Sequence, residues 1–140
     1  MSDDAVTLSA EKAVLDGEQI NTEQKNGRTN IGFWDHPGES VHWLMRIGKA
    51  GTYVVRGEFA TAAGRTTLEL RVGDRRLSFD VPRTEGWDRT TQVNVGTLTF
   101  DSPRIYHVVL KPANPESWRA VNVWQLQLAP AQPRAERTRR

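Results

Sequence analysis

The 140-residue sequence predicts an all-β fold, two antiparallel sheets packed face to face as a sandwich. Three observations predict it. Apolar residues recur at every second position through a series of short runs. Turns containing Gly or Pro separate these runs at intervals of about ten residues. No segment of about a dozen residues holds a 3.6-residue period without a Gly or Pro.

The runs are readable one by one. In "SVHWLMRI", residues 40–47, Val41, Trp43, Met45 and Ile47 share one face, and His42, Leu44 and Arg46 the other. "GTYVVRGEFA" puts Tyr53, Val55 and Phe59 inward, with Arg56 and Glu58 outward. "TTLELRV" sets Leu68, Leu70 and Val72 against Glu69 and Arg71; "RRLSFDV" sets Leu77, Phe79 and Val81 against Ser78 and Asp80. Gly73-Asp74 between these last two runs predicts a tight hairpin. "IYHVVL" and "VNVWQLQL" continue the alternation near the C-terminus. Length suits one domain with a proper core. The expected division is a disordered start over residues 1–5, a sandwich over 6–130 and a basic flexible tail over 131–140.

Charge excludes a nucleic-acid reading. Four of the 19 basic residues and one of the 17 acidic ones lie in 131–140, so the body carries 15 and 16 and has no basic field for phosphates. No apolar run approaches the roughly 20 residues that span a bilayer, so no membrane partner is expected. Cysteine is absent, which removes disulfides, thiolate metal sites and cysteine nucleophiles. "MSDDAVTLSA" lacks the charged-then-apolar order of an export signal; the chain reads as cytosolic, or as a mature or excised domain.

Five tryptophans, at 34, 43, 87, 118 and 124, outnumber the four phenylalanines. Trp43 and Trp124 fall on strand apolar positions and read as core. Trp34 lies between Gly32 and Pro37, in "NIGFWDHPGES", and either projects from a loop or folds inward to seal the sandwich end. Trp87, in "TEGWDR", sits in a looser loop and is the better platform. Trp118, in "NPESWRA", either completes a cleft with Trp87 or caps the core edge. Asp35-His36 raises the enzyme question, but neighbours in an extended segment seldom point the same way. Ser40 is close, yet no glycine-flanked serine elbow, HExxH pair or phosphate-binding glycine loop is present. No enzyme is expected, and Asp35 and His36 read as polar contacts beside Trp34.

The order of "LSAEKAVLDGE", "NIGFWDHPGESVHWLMRIGKAGTYVV", "RTEGWDRTTQVNVGTLTF" and "AVNVWQLQLAP" resembles the carbohydrate-binding modules of families 6 and 35. More closely it resembles the sandwich that follows the catalytic domain in bacterial α-L-fucosidases. The resemblance covers residues 7–130 and implies a single galactose-binding-like jelly-roll. It also implies a non-catalytic, extracellular or periplasmic module that recognises a saccharide and serves an attached or associated glycoside hydrolase. Residue by residue it implies Trp34 (with Phe33), Trp87 and Asn122 as sugar contacts, with Asp35, His36 and Trp118 beside them. Sugars need flat aromatic faces and a few planar hydrogen-bonding groups in a preformed concavity. A structural calcium is implied at Glu11, with Asp16, Glu18 and Glu23 in the following turns to add oxygens. Asn122 fits either the sugar-binding asparagine or the calcium place in the last strand, and not both. The rival reading is an interaction sandwich whose aromatics pack a neighbouring domain.

Overall fold

The computed structural model describes residues 5–131, so apart from Ala5 and Ala131 the expected disordered start and basic tail lie outside the described residues. Eleven strands run through the described chain: β1 Val6–Ser9, β2 Val14–Asp16, β3 Asn21–Lys25, β4 Arg28–Gly32, β5 Ser40–Ile47, β6 Gly51–Ala60, β7 Thr66–Val72, β8 Arg75–Val81, β9 Thr91–Phe100, β10 Arg104–Pro112 and β11 Asn122–Pro130. One sheet has the order β3-β4-β11-β6-β9, with β1 also paired to β11; the other is β2-β5-β10-β7-β8. Every ladder is antiparallel. The all-β sandwich expected from alternation is the fold found.

The inward faces are the ones the period marked. Val41, Trp43, Met45 and Ile47 of β5 are all buried, as are Leu68, Leu70 and Val72 of β7. They meet Tyr53, Val55 and Phe59 of β6 and Leu126 and Leu128 of β11 in one apolar cluster. Trp43 donates its indole N–H to the Ser9 carbonyl at 2.9 Å, so the ring enters the core without an unpaired donor.

Alternation alone does not mark β9, because the strand changes phase. Gly96 pairs with Val55 and Asn94 with Arg56, so Val95 is the extra residue of a bulge. The buried set accordingly switches from Val93 and Val95 to Leu98 and Phe100. A second bulge lies between Val123 and Gln125 of β11. There Trp124 is buried outside the main core cluster, with the Arg28 guanidinium 5.9 Å from its ring centroid.

Glu58 also departs from expectation. It faces outward on β6 yet is only 6% exposed. Arg28 donates to both its carboxylate oxygens at 2.8 and 2.7 Å, and Gln125 adds a third hydrogen bond at 3.2 Å. The Arg28 hydrogen bond holds the Glu58 carboxyl below the usual glutamate range, against an opposing push from burial.

Candidate functional site

The site is built on three loops at one end of the sandwich, residues 33–39, 82–90 and 113–121, together with β3 and the first residue of β11. In the first loop Phe33 adopts φ 58°, a left-handed conformation uncommon for a residue with a Cβ. Phe33 is 55% exposed, whereas Trp34 beside it is 0% exposed. Trp34 donates its indole N–H to the Glu39 carbonyl at 3.1 Å, which closes the loop over the ring. Trp118 in turn donates to the Trp34 carbonyl at 3.0 Å, and the two rings lie 4.9 Å apart, tilted by 50°.

These contacts correct two expectations. Neither Trp34 nor Trp118 (8% exposed) offers a face on which a sugar ring can stack, because both faces are spent on the core and on each other. Trp34 closes the sandwich end and Trp118 caps it. The exposed aromatics are Phe33 and Trp87, the latter 37% exposed.

The second loop, which carries Trp87, is tied down. The Thr84 amide donates to the Thr61 carbonyl at 2.8 Å, and the Thr61 amide returns a bond to Thr84 Oγ1 at 3.0 Å. Thr84 Oγ1 donates to the Gly86 carbonyl at 2.9 Å. Asn122 then donates Nδ2 to the Trp87 carbonyl at 3.0 Å. This buried amide therefore props the aromatic platform with one of its N–H groups, which leaves its second N–H and its oxygen for other partners.

Together these residues enclose an open depression of about 220 Å³, lined by Phe33, Trp87, Asp35, Asn122, Glu23 and Lys25, with Ala120 at its edge. Gly32 lets the floor close up: a Cβ there would lie 2.5 Å from Glu23 Oε2 and 3.3 Å from Asn122 Oδ1. Glu23 Oε2 accepts from Asn30 Nδ2 at 3.1 Å and lies 3.7 Å from the Lys25 ammonium. Asn30 Oδ1 is buried with no partner among the described residues. The structure thus brings Trp87, Asp35 and Asn122 together, adds Phe33, and leaves His36 exposed and outside the lining. Glu23 and Lys25 carry no sugar signal in the sequence, except that positions 23 and 25 share one face of a strand.

The calcium expectation finds no matching cluster. Glu11 is exposed, and its carboxylate accepts from Thr29 Oγ1 at 3.2 Å. Among the described residues no three acidic or histidine side chains converge as ligands, so Glu11, Asp16, Glu18 and Glu23 do not form the expected set.

One polar chain has no counterpart among the sequence motifs. On the outer face of the β5–β10 pair, Ser40 Oγ lies 2.8 Å from His42 Nε2, and His42 Nδ1 lies 3.0 Å from His107 Nε2. The ring centroids are 5.1 Å apart at 17°, so the imidazoles meet edge to edge in nearly one plane. Burial first, and His107 second, push the His42 pKa below its ordinary value, against the pull of Asp16. The pair adjoins exposed Val14 and Leu44. Asp35 and His36 form no comparable pair: Asp35 lines the depression and His36 does not.

No family model and no curated relative match the sequence. Solved structures do match in shape. The C-terminal family-6 carbohydrate-binding module of the LamC laminarinase from Zobellia galactanivorans superposes with a TM-score of 0.73 at 18% identity, covering 89% of this chain and 98% of that one. The fold is that of the family-6 and family-35 carbohydrate-binding modules. A Cellvibrio mixtus lichenase 5A module in complex with cellotriose gives 0.72 at 20% identity, covering 94% and 100%. A family-35 module from Clostridium thermocellum gives 0.72 at 15%, covering 91% and 98%.

Proposed function

We propose that the protein is a non-catalytic carbohydrate-binding module and that the Phe33–Trp87 depression is where it holds a saccharide. The observation that carries this reading is the pairing of two exposed aromatic rings with Asp35, Glu23, Lys25 and Asn122 in one open, preformed concavity. Ring faces stack on the C–H side of a sugar, while the carboxylates and the ammonium meet its hydroxyls. Trp87 is the main platform, because its loop is pinned on both sides. A single stacked site of this size binds with dissociation constants of roughly micromolar to millimolar. The likeness to a module of a laminarinase supports a role in holding a glycoside hydrolase near its polysaccharide, outside the cytoplasm. The sequence likeness to fucosidase-associated sandwiches makes that class of hydrolase the proposed host.

A glycan array followed by titration of Trp87→Ala on any hit tests the reading. Binding that falls at least tenfold in the variant is expected; binding unchanged by the substitution would remove the mechanism. A second reading, docking of a neighbouring domain, is favoured by one observation: Val14, Leu44 and Ile105 are all exposed on the outer face of the β2-β5-β10 side. Recovery of a protein partner lost on Leu44→Glu, with no glycan bound, would favour it.

A further inference from the structure

Resting on the glycan reading of this site, we infer that the depression is selective for saccharides carrying a free amine and disfavours anionic sugars. The inference comes from pairing off the charges around the two rings. Lys25 sits 3.7 Å from Glu23, Arg28 is held by both oxygens of Glu58, and Arg89 lies 3.6 Å from Glu85. Each of these cations has its carboxylate. Asp35 has no such partner: it lines the depression, is exposed, and makes no ion pair or hydrogen bond among the described residues. Asp88, next to Trp87, has only the Asn26 amide at 3.5 Å. Arg83 and Arg119 add two further cations on the same loops, but over the three loops and β3 six carboxylates still face four cations, so the local balance is negative although the body as a whole is close to neutral.

A free carboxylate beside two aromatic faces is the arrangement that receives an ammonium group. The ring quadrupoles attract a cation over their faces, and the carboxylate accepts a charge-assisted hydrogen bond from it. A neutral hydroxyl at the same place makes the same stack and a weaker hydrogen bond. A uronate carboxylate meets Asp35 as a like charge. Lys25 does not reverse this preference, because engaging an anion would leave Glu23, which is mostly buried, without its counter-ion. The ligand class is therefore an amino sugar polymer, a glucosamine oligosaccharide being the simplest member.

Three β-1,4 hexamers that differ only at C2 make the test: hexaglucosamine, hexa-N-acetylglucosamine and cellohexaose. Each is titrated by calorimetry into the full chain at about pH 6, where the sugar amine is protonated. Hexaglucosamine should bind about three- to fivefold tighter than cellohexaose, as expected of one partly exposed charge pair. Raising the salt concentration should shrink that advantage. Asp35→Asn should abolish it, bringing the two hexamers within about twofold of each other in the variant, and Trp87→Ala should weaken all binding. Equal affinity for the amine and hydroxyl hexamers, a preference that survives Asp35→Asn, or tightest binding of the acetylated form overturns the inference. If other glycans bind on the array and depend on Trp87 while none of these hexamers does, the amine inference falls and the glycan site stands. If no glycan of any kind binds, both fall.

Discussion

Trp34 and Trp87 stand in loops of similar composition, yet alanine at each should have opposite consequences. Trp34 is 0% exposed, so Trp34→Ala removes a whole indole from the packed end of the sandwich. A side chain of this size covers roughly 200 Å², which at about 25 cal/mol per Å² sets a ceiling of about 5 kcal/mol. Core tryptophan-to-alanine changes cost about 3–5 kcal/mol once partial collapse of the cavity is included. The change also leaves the Glu39 carbonyl without its donor and the Trp118 ring without its neighbour. A loss of about 4 kcal/mol follows, equivalent to a fall in Tm of roughly 10–15 °C for a domain of this length. Trp87→Ala removes a ring that already meets solvent, and should cost at most about 1 kcal/mol. Urea unfolding followed by far-UV circular dichroism measures both. If Trp34→Ala loses less than about 1 kcal/mol, or Trp87→Ala loses as much as Trp34→Ala, the two rings do not divide into a structural plug and a binding platform.

Three further outcomes are expected. The Arg28–Glu58 pair depresses the Glu58 pKa in the folded state, so its contribution is present above the ordinary glutamate value of 4.5 and drains away as pH falls through the lower folded value. Stability measured in urea from about pH 6 to pH 3 should therefore fall less steeply in Glu58→Gln than in the parent; identical slopes would contradict the sign. Gly32→Ala should leave the fold cooperative but weaken glycan binding, because the new Cβ displaces the flexible Glu23 carboxylate from the floor of the depression. Binding by Gly32→Ala equal to that of the parent would show that the floor is not used. Added calcium or a chelator should leave Tm unchanged to within about 1 °C, whereas a calcium-dependent rise would mean that an ion is held by oxygens other than those of Glu11, Asp16, Glu18 and Glu23.

The sandwich is legible in the sequence because burial on one face imposes a period of two on β5, β7 and β11. It is least legible where that period breaks. The extra residue Val95 shifts the phase of β9, and the β3–β4 hairpin shows no alternation because β3 is polar and buries no residue while β4 buries Asn30, Ile31 and Gly32 in a row. Composition locates the candidate site at the loops but does not orient it. Phe33 and Trp34 are adjacent aromatics, and which one turns outward depends on a single backbone angle and on an acceptor, the Glu39 carbonyl, five residues away. The place of Asn122 in the chain suggests a sugar contact. Its commitment to the Trp87 carbonyl depends on a loop 35 residues away, which no local pattern reports.

The left-handed angle at Phe33 has a consequence for how the binding surface can vary. The direction of that ring is set by the main chain, and more than half of the residue's surface meets solvent. Position 33 can therefore exchange its side chain without disturbing the tryptophans below, provided that the newcomer tolerates φ 58°. Valine or isoleucine would carry a steric penalty of about 1–2 kcal/mol there, while asparagine or glycine would keep the backbone and erase the platform. Tyrosine and histidine would keep both. Ligand preference can drift at this residue on a scaffold that stays fixed, so a panel of position-33 variants would explore sugar specificity separately from folding.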